Sequence, residues 1–377
     1  MSKPIPADWP ESETPLYEAW HAVCIGRALT TRPMQRVLLG LPIVLYRTPA
    51  GPRAFVDRCP HRGVPLSAGR CDKAGSLECR YHGWRFDSEG RLLEVPGRVA
   101  PDERAHGLVR LPLREESGLV FVCPKPDGRP PLAPYLPPAL DAPGYTSVLR
   151  EVVAPGSLYA TAENALDVPH TSVLHRGLFR TAAAKARIVA RVQRRKHWVE
   201  TEYVGEPPPK GLVARLLAVG KDKDRSAVQH WDRFFLPGVA EVEYRLGPRS
   251  HFVVTAYLTP EAPDVTRLFA VASFRTPLPG RLLSLLLEPF ARMIFRQDQQ
   301  ILALQSEHVR RFGAATFAST ELDTMGPHIR RLLKAAYQAE KTAPEPPWPA
   351  GDVPAEIRLS SADSAQPVFD TVVELDA

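Results

Sequence analysis

Four side chains able to grip metal stand in two short runs, Cys59-Pro60-His61-Arg62-Gly63 and Cys79-Arg80-Tyr81-His82-Gly83-Trp84. Read as C-x-H and C-x-x-H with seventeen residues between them, they supply two thiolates and two imidazoles. A [2Fe–2S] cluster in which two His replace two Cys on one iron needs this inventory, and the neutral imidazoles raise its potential above that of an all-Cys cluster. A structural zinc site can use the same four donors in a tetrahedron. Zinc motifs, however, pair Cys with Cys and His with His. Here each run carries one of each, and the spacing favours the cluster.

A second group of donors lies in Glu163-Asn164-Ala165-Leu166-Asp167-Val168-Pro169-His170-Thr171-Ser172-Val173-Leu174-His175. One Asp and two His within nine residues, set among apolar neighbours, suit the two-His-one-carboxylate face with which non-heme iron(II) sites activate dioxygen. The competing reading is a helix whose polar positions are satisfied locally. On a regular helix, positions five apart point about 140° away from each other, so His170 and His175 share a metal only where the helix is distorted. Pro169 predicts such a distortion. It lacks a backbone donor and crowds the carbonyl of Ala165, which kinks or widens the helix.

Together these runs resemble the Rieske non-heme iron oxygenases, over roughly residues 15 to 340. In that resemblance Cys59 and Cys79 hold one iron, and His61 and His82 hold the other, solvent-facing one. Respiratory Rieske proteins join the two loops by a disulfide, whereas Val64 and Tyr81 occupy the matching positions here, as in the oxygenase type. The family's N-x-x-D-x-x-H-x-x-x-x-H run is complete as Asn164, Asp167, His170 and His175. The resemblance makes His170 and His175 ligands of a mononuclear Fe(II), and Asp167 a bridging carboxylate that meets His170 and a neighbouring subunit's His82. The third ligand must then come from further along. Residues Gly280 to Phe312 read as a long amphipathic helix with Asp298 three or four residues from Ile294, Ile301 and Leu302, on the apolar side. A buried carboxylate needs a partner. Arg292 or Arg296 could provide one structurally, but Gln297-Asp298-Gln299-Gln300-Ile301-Leu302 resembles the family's late acidic motif, and Asp298 is the favoured ligand over Glu288 and Glu307.

The elements that must position these donors follow from punctuation by proline and glycine. Ile43-Val44-Leu45-Tyr46 and Ala54-Phe55-Val56 flank a turn, as do Trp84-Arg85-Phe86 and Arg91-Leu92-Leu93, and Leu119-Val120-Phe121-Val122 closes an all-β region at residues 15–125. Eight prolines between Pro124 and Pro143 break helix and sheet alike and mark a linker at 126–145. Beyond it, Ala227–Trp231, Val242–Arg245, Phe252–Tyr257 and Leu268–Phe274 alternate at hairpin spacing. The expected fold class is α+β. A small all-β Rieske [2Fe-2S] domain is joined to a catalytic domain at 146–342, for which the resemblance implies a helix-grip (START-like) fold of curved antiparallel sheet around a long helix. Residues 343–377 read as a polar C-terminal tail.

Composition narrows the function classes. A chain of 377 residues exceeds what one core usually supports. The net charge of +6 is spread along the chain without a basic stripe, which argues against nucleic acid. Leu282 to Phe295 is interrupted by Ser284, Glu288, Pro289 and Arg292, so no membrane span is expected. The polar, Pro-rich start shows no export signal, and five Cys without a repeated framework point to the cytoplasm. The resemblance implies an oxygenase that takes electrons from a separate ferredoxin and/or flavin NAD(P)H reductase, works as a homotrimer, and uses dioxygen to hydroxylate or demethylate an apolar or aromatic small molecule. Cis-dihydroxylation of a ring, a Rieske electron carrier without oxygenase chemistry, and a lipid-type binding protein are the alternatives. Leu166, Leu178, Phe179, His230, Tyr244, Phe252, Tyr257 and Phe290 are expected around the substrate, or else in ordinary core.

Overall fold

The computed structural model describes residues 17–97, 107–126, 128, 130, 133–176, 178, 185–207, 228–247, 249–313, 317–342 and 369–376. They divide into two compact units, one of residues 17–134 with the segment 259–262, the other holding the rest.

The first unit is built of ten short strands, β1 (His21–Ile25), β2 (Met34–Leu38), β3 (Leu41–Thr48), β4 (Gly51–Val56), β5 (Arg70–Cys71), β6 (Leu77–Glu78), β7 (Arg85–Phe86), β8 (Leu92–Glu94), β9 (Leu113–Glu116) and β10 (Leu119–Val122). They form three antiparallel sheets ordered β1-β10-β9, β2-β3-β4 and β5-β6-β7-β8. The expected hairpins are present in register, with Tyr46 opposite Arg53 and Leu45 opposite Ala54. Alternation along β3 gives one core of Ile43 and Leu45 with Val23, Leu38 and Val120, and another of Val44 and Tyr46 with Phe55, Leu66, Leu77 and Phe86. Cys59 and Cys79 belong to the second core.

The second unit is an eight-stranded antiparallel sheet with helices on one face. Its elements are β11 (Thr146–Ala154), α1 (Leu158–Leu166), α2 (His170–Val173), β12 (Lys185–Arg194), β13 (Trp198–Val204), β14 (Val228–Phe235), β15 (Val239–Leu246), β16 (Ser250–Ala262), β17 (Val265–Arg275), α3 (Gly280–Phe312), α4 (Gly326–Thr342) and β18 (Phe369–Asp376), with the sheet ordered β11-β17-β16-β15-β14-β13-β12-β18. All four expected strands are here, each longer than its apolar centre. The helical face buries Leu158, Ala162 and Leu166 of α1, Leu302 of α3, and Ile329, Leu332 and Leu333 of α4 against Val199, Phe234, Ala240 and Leu258. Because side chains alternate along a strand, the other face of β14 presents Arg233, which ion-pairs with Glu200, Glu241 and Glu243. Tyr135, from the Pro-rich stretch, covers this face by stacking on Phe235 and donating to Glu241 Oε2 at 2.8 Å.

Two expectations change. The residues read as a polar tail supply β18, which pairs with β12 so that Asp376, Glu374 and Asp370 lie opposite Lys185, Arg187 and Arg191. The helix expected to continue through Pro169 stops instead. Leu166 is its last residue, and Asp167 takes extended dihedrals (φ −86, ψ 108). Pro169 has no N–H to donate to the Ala165 carbonyl four residues back, and its ring crowds that carbonyl, so it separates α1 from α2 rather than kinking one helix.

Candidate metal centres

The two Cys/His runs fold into loops of one design. In the first, Gly63 N donates to Cys59 O at 2.9 Å and Cys59 N to Val64 O at 2.9 Å; in the second, Gly83 N donates to Cys79 O at 3.0 Å and Cys79 N to Trp84 O at 2.8 Å. Each loop turns back through a glycine with positive φ, 74° at Gly63 and 71° at Gly83. Only glycine takes that conformation without a steric penalty. Within the shared frame the His stands third in one loop and fourth in the other, yet the two rings meet with centroids 4.5 Å apart. Asp57 fixes the approach to the first loop, accepting from Ser67 N, Ser67 Oγ and Gln35 Nε2 at 2.8, 2.6 and 2.7 Å. Both sulfurs are buried while His82 is exposed and His61 half-buried, so the thiol side faces the core and the imidazole side faces water. Burial pushes the Cys59 thiol up to about 11, which means that metal binding must displace a proton. Desolvation, with His82 and Arg62 close by, lowers the His61 pKa and favours the neutral ring that ligates.

The second centre joins a turn to a helix. Ser157 caps α1 by accepting from Ala160 N. After the break at Asp167, Val168 is buried among Ile188, Ala190 and Tyr203, which pins the turn to the sheet. His170 opens α2, and His175 follows just past its end. From α3, Asp298 brings Oδ1 to 3.2 Å from His175 Nε2 and 3.9 Å from His170 Nε2, and the two imidazole Nε2 atoms are 3.3 Å apart. These three donor side chains gather as a metal group, their ligand atoms all within 4.8 Å of one another. α3 is held in place by Gln299 Nε2 donating to Val153 O and Ser306 Oγ donating to Pro155 O, at 2.7 and 2.8 Å.

The other acids are occupied elsewhere. Glu288 receives Arg150 and Arg292, and Glu307 receives Arg311. Asp167 accepts from the backbone N of His170 at 3.2 Å and lies 3.4 Å from its Nδ1. Asn164 is half-buried on α1, three residues before Asp167. Gln297 was not singled out from sequence, but its Oε1 lies 2.8 Å from His175 Nδ1. As an amide oxygen can only accept, Nδ1 carries the proton and Nε2 turns a lone pair toward Asp298.

The Rieske [2Fe-2S] domain family matches residues 19–112, and the vanillate O-demethylase oxygenase C-terminal domain family matches residues 158–339. The chain thus joins a Rieske [2Fe-2S] domain to a vanillate O-demethylase-type oxygenase C-terminal domain. It is 29% identical over 272 residues, 68% of each chain, to a 4beta-methylsterol monooxygenase of Methylococcus capsulatus. It is 31% identical over 170 residues to the oxygenase component of dicamba O-demethylase from Stenotrophomonas maltophilia, 44% of this chain and 49% of that one. With the oxygenase subunit of a 3-chlorobenzoate-3,4-dioxygenase from Comamonas testosteroni the identity is 42% over 94 residues, which span 21% of that protein. The match to a flavonoid 8-hydroxylase of Ocimum basilicum spans 35% of its length. The crystal structure of dicamba monooxygenase bound to dicamba shares the fold, with a TM-score of 0.72 at 21% identity, covering 88% of this chain and 100% of that one.

A Rieske oxygenase carries a [2Fe-2S] cluster and a non-heme iron, and both donor sets suit them. His61 Nδ1 is buried without a hydrogen-bond partner, as is Asp298 Oδ1. At the second centre two imidazole Nε2 atoms and a carboxylate oxygen converge, a donor set that suits a cation between them. No helix among the described residues is long and apolar enough to cross a membrane.

Of the residues expected around a substrate or else in ordinary core, several pack in core clusters. Leu166 lies in the main core, and Leu178, Phe252 and Phe290 share a cluster with Phe274 and Leu283. Phe179 lies outside the described residues. Tyr257 donates to Tyr135 O. His230 is stacked between Tyr203 and Tyr244, with Nδ1 2.7 Å from Glu206 and Nε2 2.9 Å from Asp232. Both ring nitrogens are thus engaged within the protein.

Proposed function

We propose that the chain is the oxygenase component of a system that draws electrons from a separate ferredoxin and/or flavin NAD(P)H reductase and uses dioxygen to hydroxylate or demethylate an apolar or aromatic small molecule. The observation that carries this reading is the convergence of His170, His175 and Asp298 in a chain that also holds paired Cys/His loops. A bare electron carrier would have no use for the second site, and a binding protein none for the first. Relatives named as a monooxygenase and an O-demethylase support the class of reaction.

In this reading Cys59, Cys79, His61 and His82 hold the cluster, and His170, His175 and Asp298 hold the iron. When bound, the cluster supplies electrons one at a time and the iron supplies dioxygen activation at a two-His-one-carboxylate face with open positions. The protein's own work is orientation. Gln297 keeps the His175 proton on Nδ1, so that Nε2 remains a ligand, a role that outer partners of metal-bound His commonly fill. Asp167 leaves the helix and turns its carboxylate to the backbone N and Nδ1 of His170. It bridges His170 to His82 of a neighbouring copy in a homotrimer, with Asn164 one turn before it on α1. The five cysteines form no disulfide among the described residues, which suits a cytoplasmic enzyme.

The deciding experiment is single turnover. Protein reduced anaerobically and mixed with oxygen and a panel of aromatic and methoxylated compounds should re-oxidise its cluster faster with some members than with none, and release hydroxylated or demethylated product. Identical re-oxidation with every compound, and no product, would remove the oxygenase reading.

A further inference from the structure

Across the helical face of the second unit's sheet runs a row of rings. Tyr203 of β13, His230 of β14, Tyr244 of β15 and Phe252 of β16 stand opposite one another in register. The His230 ring lies between Tyr203 and Tyr244, at 4.6 and 3.9 Å between centroids. Both ends of the row are tied to the segment that carries the proposed iron ligands. Tyr203 packs with Val168, two residues before His170. Phe252 shares a cluster with Leu178, three residues after His175, and with Phe290 and Ile294 of α3. Two residues along each strand, Thr201, Asp232, Val242 and Val254 make a second row on the same face, in which the rings give way to short side chains. Facing the helices, Val242, Tyr244, Phe252 and Val254 are half-buried, whereas Glu243 and Val253 on the opposite face are buried. Water therefore enters between sheet and helices beside the short row.

Asp232 is the charged member of that row and is 1% exposed. Its Oδ1 lies 2.9 Å from His230 Nε2, while His230 Nδ1 lies 2.7 Å from Glu206. Carboxylate oxygens only accept, so both ring nitrogens donate, and the single charge of the imidazolium is divided between two acids. Asp232 Oδ2 is buried with no hydrogen-bond partner. Its neighbour Thr201 turns its hydroxyl to Met325 Sδ instead, at 2.9 Å. A polar atom buried without a partner is costly, and a cationic N–H offsets that cost about twice as strongly as a neutral donor. The aromatic faces of Tyr244 and Phe252 suit a cation as well.

We infer that the substrate carries a protonated amine, which Asp232 Oδ2 receives while the Tyr244 and Phe252 rings flank the rest of the molecule. The inference rests on the oxygenase reading and adds the charge class of the substrate. His230 acts here through Asp232, as a positioning residue that fixes the carboxylate with one oxygen occupied and the other free.

The test is calorimetric binding of four matched probes to protein loaded at both metal centres. 4-Methoxybenzylamine, a cation at neutral pH, should bind about tenfold or more tightly than 4-methoxybenzyl alcohol, a neutral donor, and than 4-methoxytoluene, which donates nothing. 4-Methoxybenzoate should be the weakest. Asp232→Asn keeps the size and an acceptor for His230 but removes the charge, and should bring the amine down to the alcohol while 4-methoxytoluene is unchanged. An amine that binds no more tightly than the alcohol or the toluene, or a preference for the amine that survives in Asp232→Asn, overturns the proposal. Should Asp232→Asn fail to fold, the wild-type ranking decides alone. Substrate-dependent re-oxidation of the cluster with 4-methoxytoluene and no preference for the amine would defeat the anchor and leave the oxygenase reading standing. Tight binding of the amine by a protein whose cluster re-oxidises identically with every compound would do the reverse.

Discussion

The two metal centres are built on opposite principles. All four proposed cluster donors lie between residues 59 and 82 and are aimed by local turns, two loops with the same backbone bonds and the same left-handed glycine. The proposed iron donors come from a turn and from a helix more than a hundred residues away, and one supporting bond, His175 to Gln297, spans 122 positions. A local site forms wherever its loops close. A distributed site exists only when α3 is docked along β11, and its geometry reports on the fold of the whole second unit.

That contrast is broken or kept by removing a donor. Asp298→Ala should abolish turnover and mononuclear iron while leaving the cluster spectrum intact, since the donors belong to different units; metal analysis with visible and EPR spectra checks both halves. Iron retained in Asp298→Ala would transfer the role to another acid and weaken the idea of a distributed triad. Gln297→Leu acts one step out. It frees the His175 ring to change tautomer and should lower iron affinity by about 10–100-fold, read by competition with a chelator, with Gln297→Glu retaining most of it.

The local site is tested by its glycines. A left-handed residue with a Cβ costs about 1–2 kcal/mol, and at Gly83 the new Cβ would also stand 2.9 Å from Pro96 Cγ, whereas at Gly63 it would meet only the flexible Arg58 at 3.6 Å. Gly83→Ala should therefore lose cluster more readily than Gly63→Ala on mild heating, followed by visible absorbance. Equal losses would mean that the backbone penalty alone decides.

A smaller effect distinguishes the units by pH. Burial opposes charge on His230, but Asp232 and Glu206 outweigh it and raise its pKa to about 9. With an unfolded value near ~6.5, the stabilisation is complete below that pH and is lost as pH rises through about 9. The melting temperature of wild type relative to His230→Gln should thus converge between pH 6.5 and about 9.5, a shift confined to the second unit's transition in calorimetry. Smallest of all, Glu307→Gln breaks an exposed helical pair with Arg311 and should change stability by less than about 0.5 kcal/mol, with iron content unaltered.

How much of this was legible in sequence follows the same division. The cluster loops could be read because ligand identity and spacing are all they need. The long helix was readable end to end from its periodicity, and the triad's third member from its place on that helix and a family likeness. Gln297 stands in the same motif, but a glutamine beside an acid carries no signal until the fold brings His175 to it. Pro169 signalled a disruption, but a kink and a full stop look alike in sequence; the extended backbone at Asp167 depends on Val168 finding its pocket on the sheet. For His230 the sequence leaves a place beside the substrate and a place in ordinary core both open, because an alternating strand shows which side a residue faces, not what waits there. Glu206 and Asp232 wait there.

The pairing of β18 with β12 bears on how the protein behaves in the tube. In the backbone register Lys185, Arg187 and Arg191 of β12 lie opposite Asp376, Glu374 and Asp370 of β18. The outermost strand of the sheet is then an acidic one, and like charge keeps two such borders from joining edge to edge. A protein cut before Phe369 would end its sheet on a basic strand with unpaired backbone groups, an open template for another molecule's acidic strand. Clumping and strand exchange would follow, so a C-terminal tag or a stray protease should first disturb solubility and only afterwards catalysis.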